Sequence, residues 1–390
     1  MKVLVVVPDL SPSTGGPVAT VLGLAESLAS TTQRVSIAAT DFGIEAPPEV
    51  DGVDVRLFRC RLRSRRWSPG LWEFLKSEVS RYDLVSIHTL WQYPTCAAGM
   101  ACRRAQVPYV VAPQGMLDRW SVSQKAWRKT LYLLAVEGRT LRRAAALHAS
   151  SEGERIKSGL ERWNRSVSVI PWGVSRAAYT DLPDRSRFAD RFPALRDKQF
   201  VLFLGRLHPK KQPDVALRAF HKVCAKEKNT FLVLAGPGQA EYVSTLRKSA
   251  CDLGIEDRVV FTGLLRGRAV QEAYRAASLF VLPSWQENFG NAVVEAMAAG
   301  CPVVVSDRID LAPDIERANA GVVAPPSVDA TAEAVARLLG DEALRVSLGH
   351  NGRRLVLERF TWEGVAPKVL AAYQDVVSGC RRSPEWRECQ

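Results

Sequence analysis

The sequence is short of several features that would have assigned it at once. Its eight cysteines (60, 96, 102, 224, 251, 301, 380 and 389) form no C-x-x-C pair, and no histidine stands at metal-ligand spacing from them. The common zinc and dithiol motifs are thereby excluded, and the thiols read as reduced ones. No apolar run approaches the ~18 residues that a bilayer span needs. The opening stretch Val3–Val7 is cut off by Pro8 and Asp9, too short for the ~7–15 residues of a secretory core, so it reads as a buried strand. A G-x-G-x-x-G fingerprint is also missing, which excludes the standard dinucleotide loop. What remains is 390 residues of ordinary globular composition, 47% hydrophobic and 24% charged. Collagen-like, disordered and disulfide-scaffold classes fall away. The length implies two to three domains, and the expected compartment is the cytoplasm.

Acidic residues are scarce in one half only. Residues 1–196 carry 28 basic and 18 acidic residues, net +10, whereas residues 197–390 carry 25 and 23, net +2. The asymmetry points the first half at something anionic: nucleic acid, an acidic sugar or a membrane surface. Its densest patch is Arg56, Arg59, Arg61, Arg63, Arg65 and Arg66, followed by Trp67 and Trp72. In an extended segment Arg59, Arg61, Arg63 and Arg65 would share one face; the alternative is a solvated loop or strand edge. Nucleic acid is the least favoured partner, because no reading motif accompanies the charge.

Short Val/Ile/Leu runs alternate with helix-like stretches along the whole chain, the pattern of parallel strands buried on both faces. The runs are 2–8, 34–40, 53–58, 83–89, 109–113, 146–150 and 167–171, then 200–205, 230–236, 258–263, 279–283, 302–306 and 321–323. Val18–Ser30, Pro213–Lys226 and Ala330–Leu339 are among the intervening helices. The expectation is an α/β fold of two doubly wound, Rossmann-like domains: 1–175, then 199–360, with the Pro-, Asp- and Arg-rich stretch 176–198 as an exposed linker. Ligands of such sheets bind at the carboxyl ends of the strands, so the expected site is the cleft between the domains.

Three places there carry chemistry. After the first strand, Gly15 and Gly16 precede a helix opened by Pro17, where close backbone approach and free N–H groups suit a phosphate, although a plain turn explains the residues equally well. After the strand FVLFLG come Arg206 and Lys211, two cations flanking a strand-to-helix turn, which suit a diphosphate that gains charge as a leaving group. In PSWQENFGNAVVEAMAAG, Glu287 precedes a helix and Glu295 lies inside it, ~7–8 Å further along the axis at ~1.5 Å per residue. Carboxylates so spaced can accept hydrogen bonds from separate hydroxyl-bearing parts of one extended ligand, with Gly290 and Asn291 offering N–H groups between them.

The series GRLHPKK, LVLAGPG, RVVFTGLL and PSWQENFGNAVVEAMAAGCPVVVSD resembles the family 4 glycosyltransferases of the GT-B fold, and the likeness covers essentially the whole chain. The resemblance implies metal-free transfer of a sugar, with retention, from a UDP- or GDP-linked donor that serves as co-substrate; no other cofactor is expected. By similarity Arg206 and Lys211 contact the diphosphate, Glu295 the ribose and Glu287 the transferred sugar. The turn Phe289, Gly290, Asn291 meets that sugar and the phosphates; Gly236, Gly238 and Leu264 shape the base pocket; and Gly15 and Gly16 complete the donor-binding set. His88 is the catalytic candidate of the first domain, while Gln114 and Asp118 in PQGMLD are its acceptor-side candidates. A last helix, about 361–380, is expected to return to the first domain. There are departures: Gln212 stands where glycine is common, Trp172 stands in IPWGV where asparagine is common, and Gln114 replaces a frequent histidine. No Asp-x-Asp metal clamp occurs in the sequence, so the expected metal site is none. The implied acceptor is a glycan or lipid-linked saccharide of cell-surface polysaccharide synthesis, handled on the cytoplasmic face of an anionic membrane. A soluble synthase, a nucleotide-sugar 2-epimerase and a catalytically silent binding subunit are the rival readings.

Overall fold

The computed structural model of the chain describes all residues except 33, 119–120, 123–126, 128–131, 226, 228 and 383–390. Two compact units emerge: Met1–Gly173 with Trp362–Gln390, and Val174–Thr361. The first holds β1 (Lys2–Asp9), β2 (Arg34–Thr40), β3 (Val53–Phe58), β4 (Leu84–His88), β5 (Tyr109–Ala112), β6 (Ala146–Ala149) and β7 (Val167–Val169). The second holds β8 (Gln199–Leu204), β9 (Thr230–Ala235), β10 (Val259–Gly263), β11 (Leu279–Leu282), β12 (Val303–Ser306) and β13 (Gly321–Ala324). Each of the thirteen apolar runs has become a strand. The central ones are buried on both faces, as their unbroken Val/Ile/Leu character requires.

Strand order is β3-β2-β1-β4-β5-β6-β7 in one sheet and β10-β9-β8-β11-β12-β13 in the other, and all the ladder pairs are parallel. In each sheet the order reverses beside the first strand, between β1 and β4 and between β8 and β11. Such a reversal splays the following loops apart at the carboxyl edge and leaves a crevice for a ligand.

Three expectations change. The stretch 176–198 is no exposed linker but part of the second unit. Phe188, Leu195 and Tyr179 are buried, the Phe188 ring lies 5.5 Å from that of Phe200, and Arg191 Nε meets Glu272 Oε2 at 3.0 Å. Three apolar side chains among many polar letters sufficed to dock it. The helix from Pro213 ends at Cys224; Lys226, where it was expected to stop, lies outside the described residues, as does Cys389. The other seven cysteines are free thiols. The arginine patch is not one extended face either. The chain folds at Leu62 and Trp67 into a small antiparallel hairpin, with the Arg61 N–H on the Trp67 carbonyl at 2.8 Å.

The last helix, Trp362–Arg382, packs in the first unit. Trp362 lies so close over the helix Gly16–Ala29 that a Cβ at Gly23 would come within 2.2 Å of its indole nitrogen. Among the described residues no helix is long and apolar enough to cross a membrane.

The carboxyl edge of the second sheet is closed by backbone contact. The Leu207 N–H donates to the Pro237 carbonyl at 2.7 Å, and a Cβ at Gly236 (φ +137°) would sit 2.0 Å from the Gly205 carbonyl oxygen. We expect Gly236→Ala to lower stability by about 1–3 kcal/mol through this overpacking. The midpoint of urea unfolding checks it, and an unshifted midpoint would mean the two turns can separate freely.

Candidate functional site

The site in the second unit is built where β8 and β11 diverge. Beyond β8 the chain makes a single 3₁₀ turn, Pro209–Lys211, capped by His208, whose Nδ1 accepts the Lys210 N–H at 3.1 Å. Gln212 ends that turn in the left-handed region (φ +52°) and starts the helix Pro213–Cys224. The backbone that glycine would favour is therefore present without glycine, although a side chain there costs of order 1–3 kcal/mol. Beyond β11, the Trp285 N–H donates to the Lys210 carbonyl at 2.9 Å, which ties the two loops together. Gly290 (φ +75°) then caps the helix Asn291–Ala298.

Side chains follow this frame. Lys211 Nζ lies 2.7 Å from Glu287 Oε1, both largely enclosed, and the Ser284 hydroxyl donates to the same oxygen at 3.1 Å. Burial on its own would raise the Glu287 carboxyl; Lys211, with Lys210 and Ser284, holds it below the ordinary range. Glu287 is thus a carboxylate at neutral pH. Glu295, in the second turn of its helix, accepts a hydrogen bond from the buried Tyr274 hydroxyl at 3.1 Å, and burial lifts its carboxyl to about 7 despite Tyr274 and Lys211. Arg206 is exposed and pairs with no carboxylate among the described residues. Its charge is therefore available to a ligand.

Beside these groups lies a cavity of about 490 Å³ lined by Leu207, Gly236, Gly238, Val243, Arg247 and Phe261, among others. Gly236 and Gly238 were expected there. Leu264 stands just past the wall, 37% exposed. Arg247 was missed: its guanidinium carbon sits 4.2 Å from the centre of the Phe261 ring, and a lone arginine within a polar helix carries no sequence signal. Phe289 faces inward, 5% exposed and 5.6 Å from the Phe360 ring, so it can offer a ligand only its backbone.

In the first unit, Gly15 (φ +78°) precedes Gly16 at the start of the helix Gly16–Ala29, with open space where a Cβ would be. Asp9, also missed, orders this loop: Oδ1 accepts from the Ser11 N–H at 3.1 Å and the Thr14 hydroxyl at 2.7 Å, and Oδ2 accepts from Arg66 Nε at 2.7 Å. His88, the catalytic candidate of the first domain, is fully buried and has to be withdrawn from the catalytic set, because its ring cannot reach a ligand. Burial, with His148 nearby, pushes its imidazole down to about 3. The Trp172 ring stands 4.3 Å from His148 and 5.9 Å from His88, which accounts for tryptophan in IPWGV. Gln114 is half-buried at a left-handed turn (φ +51°). Asp118 has to be withdrawn from the acceptor-facing set, because it is wholly buried and accepts from the Ser158 hydroxyl at 2.7 Å. Among the described residues no group of three or more His, Cys, Asp or Glu is placed to hold a metal ion.

This geometry has relatives. Residues 184–355 match the family model of the glycosyl transferases group 1, and residues 15–173 that of the glycosyl transferase 4-like domain. An uncharacterized glycosyltransferase of Methanocaldococcus jannaschii is 26% identical over 96% of this chain and 98% of its own length. The mannosylfructose-phosphate synthase of Agrobacterium fabrum is 27% identical over 92% of this chain and 86% of its own. Among solved structures, Anabaena HepE in complex with UDP and glucose superposes with a TM-score of 0.80 at 18% identity, covering 96% of this chain and all of that one.

The raised Glu295 carboxyl has a consequence for stability. Between its ordinary value of 4.5 and about 7, the folded chain holds this proton more tightly than the unfolded chain does. Its contribution to stability therefore falls as pH rises through that window. Glu295→Gln should gain on the wild type by ~2–3 kcal/mol between pH 5 and pH 8. Denaturant midpoints at both pH values check this, and a constant difference would mean the carboxyl titrates normally.

Proposed function

From the premise that the chain belongs to the group 1, family 4-type glycosyltransferases and has the GT-B fold, we propose that it transfers a hexose, with retention, from a UDP- or GDP-linked donor to a hydroxyl of a glycan or glycolipid. The observation that carries this reading is the grouping, at the β8/β11 reversal, of two cations, two carboxyls and a base-sized cavity. HepE, of like fold, was captured with UDP and glucose, which supports a uridine diphosphate donor here.

The division of labour follows from the chemistry of each group. The base enters the cavity beside Gly236 and Gly238, the ribose hydroxyls donate to Glu295, and a hydroxyl of the transferred sugar donates to the ionised Glu287. Arg206 and Lys211 face the diphosphate. As the bond from the anomeric carbon to the phosphate oxygen breaks, its electron pair passes to that oxygen, and the cations stabilise the growing charge. The acceptor oxygen attacks the same carbon on the same face and gives up its proton to the departing phosphate. No metal is required in this scheme, because the two cations and the helix ends supply the positive field.

The first unit then presents the acceptor. Leu62 and Trp67, 51% and 42% exposed, stand among the exposed Arg59, Arg61, Arg63 and Arg65 in the hairpin. An exposed apolar pair flanked by cations suits an anionic lipid surface, where each basic residue contributes ~1 kcal/mol. Such a surface favours a lipid-linked acceptor of cell-surface polysaccharide synthesis, met at the cytoplasmic face. A soluble phosphorylated sugar is the second reading, favoured by the likeness to a mannosylfructose-phosphate synthase over most of both chains.

Three outcomes are expected. Activity with the preferred nucleotide sugar should survive EDTA; loss restored by Mg²⁺ or Mn²⁺ would remove the metal-free scheme. Arg206→Ala and Lys211→Ala should lower kcat by ~2.7–4 kcal/mol of barrier while leaving KM nearly unchanged. By contrast, Glu295→Ala should weaken calorimetric binding of the free nucleoside diphosphate, and a pure KM effect of the cations would contradict their role. Finally, the wild type should float with anionic but not neutral vesicles, and a hairpin variant with Arg59, Arg61, Arg63 and Arg65 neutralised should not. Equal behaviour of both vesicle types would favour the soluble acceptor.

A further inference from the structure

A second concentration of positive charge lies in the second unit, away from the β8/β11 reversal. An open cavity of about 460 Å³ is lined by Arg176, His350, Arg353, Arg354, Leu357 and Glu358, all within Val174–Thr361. All but Arg176 stand on the helix Glu342–Arg359, at the three- and four-residue spacings that bring side chains onto one face. Arg353 fixes the cavity's place. Its Nη1 donates to the Ala298 carbonyl and its Nη2 to the Tyr179 carbonyl, each at 2.7 Å. Ala298 ends the helix that Gly290 starts, so the cavity lies by the far end of that helix, ~10 Å along its axis at ~1.5 Å per residue.

The cations here are only partly engaged. Arg353 has both ends of its fork on carbonyls, an ordinary use of arginine at a helix C-terminus. Arg176 gives one N–H to the Leu357 carbonyl at 2.9 Å, and Arg354 gives one to the Asn351 side chain at 3.2 Å, out of five donors on each guanidinium. Both side chains, with that of His350, are exposed. Among the described residues none of the three arginines pairs with a carboxylate. Arg185 and Arg275 add to the crowding: burial, then Arg185 and Arg353, lower the basicity of Arg275, and Asp184 opposes them. Asp184 is itself engaged, accepting the Ser186 N–H at 2.8 Å. Like charges gathered in this way repel one another, and a bound anion relieves the repulsion.

A phosphate monoester answers this arrangement. Its three terminal oxygens can accept bidentate pairs of N–H bonds from planar guanidinium forks. Glu358, exposed on the same helix face, would repel a bare anion but accepts hydrogen bonds from hydroxyl groups. The volume falls within the ~300–1,000 Å³ of small-molecule sites. Leu357 alone among the lining residues is apolar, so acyl chains have little to rest on, which favours a soluble ligand over a lipid headgroup. We propose that this cavity is a second anion site, which takes the phosphate of a small soluble monoester on Arg176, Arg354 and His350 and a hydroxyl of the same molecule on Glu358. Nothing in this depends on the transferase reading above.

Calorimetry of the full chain at low ionic strength, where exposed charges are least screened, tests the site with glycerol phosphate and inorganic phosphate as probes. One glycerol phosphate per chain is expected, bound more tightly than inorganic phosphate. Its affinity should persist in Arg206→Ala and fall on the order of tenfold or more in Arg176→Ala/Arg354→Ala. His350→Ala should weaken the same probe and serves alone if the double variant melts early. Glu358→Ala should erase the preference between the two probes. Absence of binding by either probe overturns the site. So does an affinity lost in Arg206→Ala, which would place the anion at the β8/β11 loops, or one untouched by the arginine and histidine variants. A preference for glycerol phosphate that is missing in the wild type, or that survives Glu358→Ala, overturns the hydroxyl contact.

Discussion

Lys211 and Glu287 belong to loops that the reversal of strand order pushes apart, and the 2.7 Å pair between them, beside the Trp285 N–H on the Lys210 carbonyl, holds those loops to one geometry. Its two charges are largely withdrawn from water, where removing either partner would strand the other. An ammonium has three protons to donate, so one bond to Glu287 leaves two for an incoming anion. The pair thus keeps Glu287 ionised, and in the function proposed above the carboxylate would receive a sugar hydroxyl while the remaining N–H groups of Lys211 met a diphosphate. Glu295 sits outside this arrangement, held by Tyr274 and lifted by burial, so the two glutamates differ in charge state as well as in place.

The first unit uses buried acids in a related way. Arg66, Thr89, Trp91 and Gln114 all hold left-handed backbone, at about 1–3 kcal/mol each for residues with a Cβ. All four lie in the segments that follow strands at the carboxyl edge, and three of them have a buried carboxyl in attendance. Asp9 grips the Arg66 side chain, Glu137 accepts the Trp91 N–H at 3.0 Å, and Glu154 accepts the N–H next to Gln114. Glu137 is fully enclosed, and burial raises its carboxyl to about 7. Strain gathered at one edge and held by the core is what a preorganised surface requires.

The strands were readable because burial on both faces leaves long Val/Ile/Leu runs, and the cations and glutamates because short spacings put them on adjoining turns. The pins were not readable. Asp9 meets Arg66 57 positions away, Tyr373 meets Ser86 287 positions away, and neither contact leaves a periodic trace. Solvent exposure was equally hidden. Asp118 and Phe289 sit among promising neighbours, yet their side chains turn inward, which only packing decides. The stretch 176–198 misled for the opposite reason: its polar majority masked the few apolar residues that dock it.

The return of the last helix gives the two units different histories during synthesis. The second unit is one uninterrupted span, Val174–Thr361, and has all of its residues as soon as that span leaves the ribosome. The first unit opens with β1 but lacks Trp362 and Tyr373 until the second unit has been made. Domains ordinarily complete themselves in order from the N-terminus. Here the earlier-made half must wait, with Gly23 uncovered and Ser86 lacking its partner, until the final segment emerges. A nascent chain halted before Trp362 would therefore carry a finished second unit behind an unfinished first one.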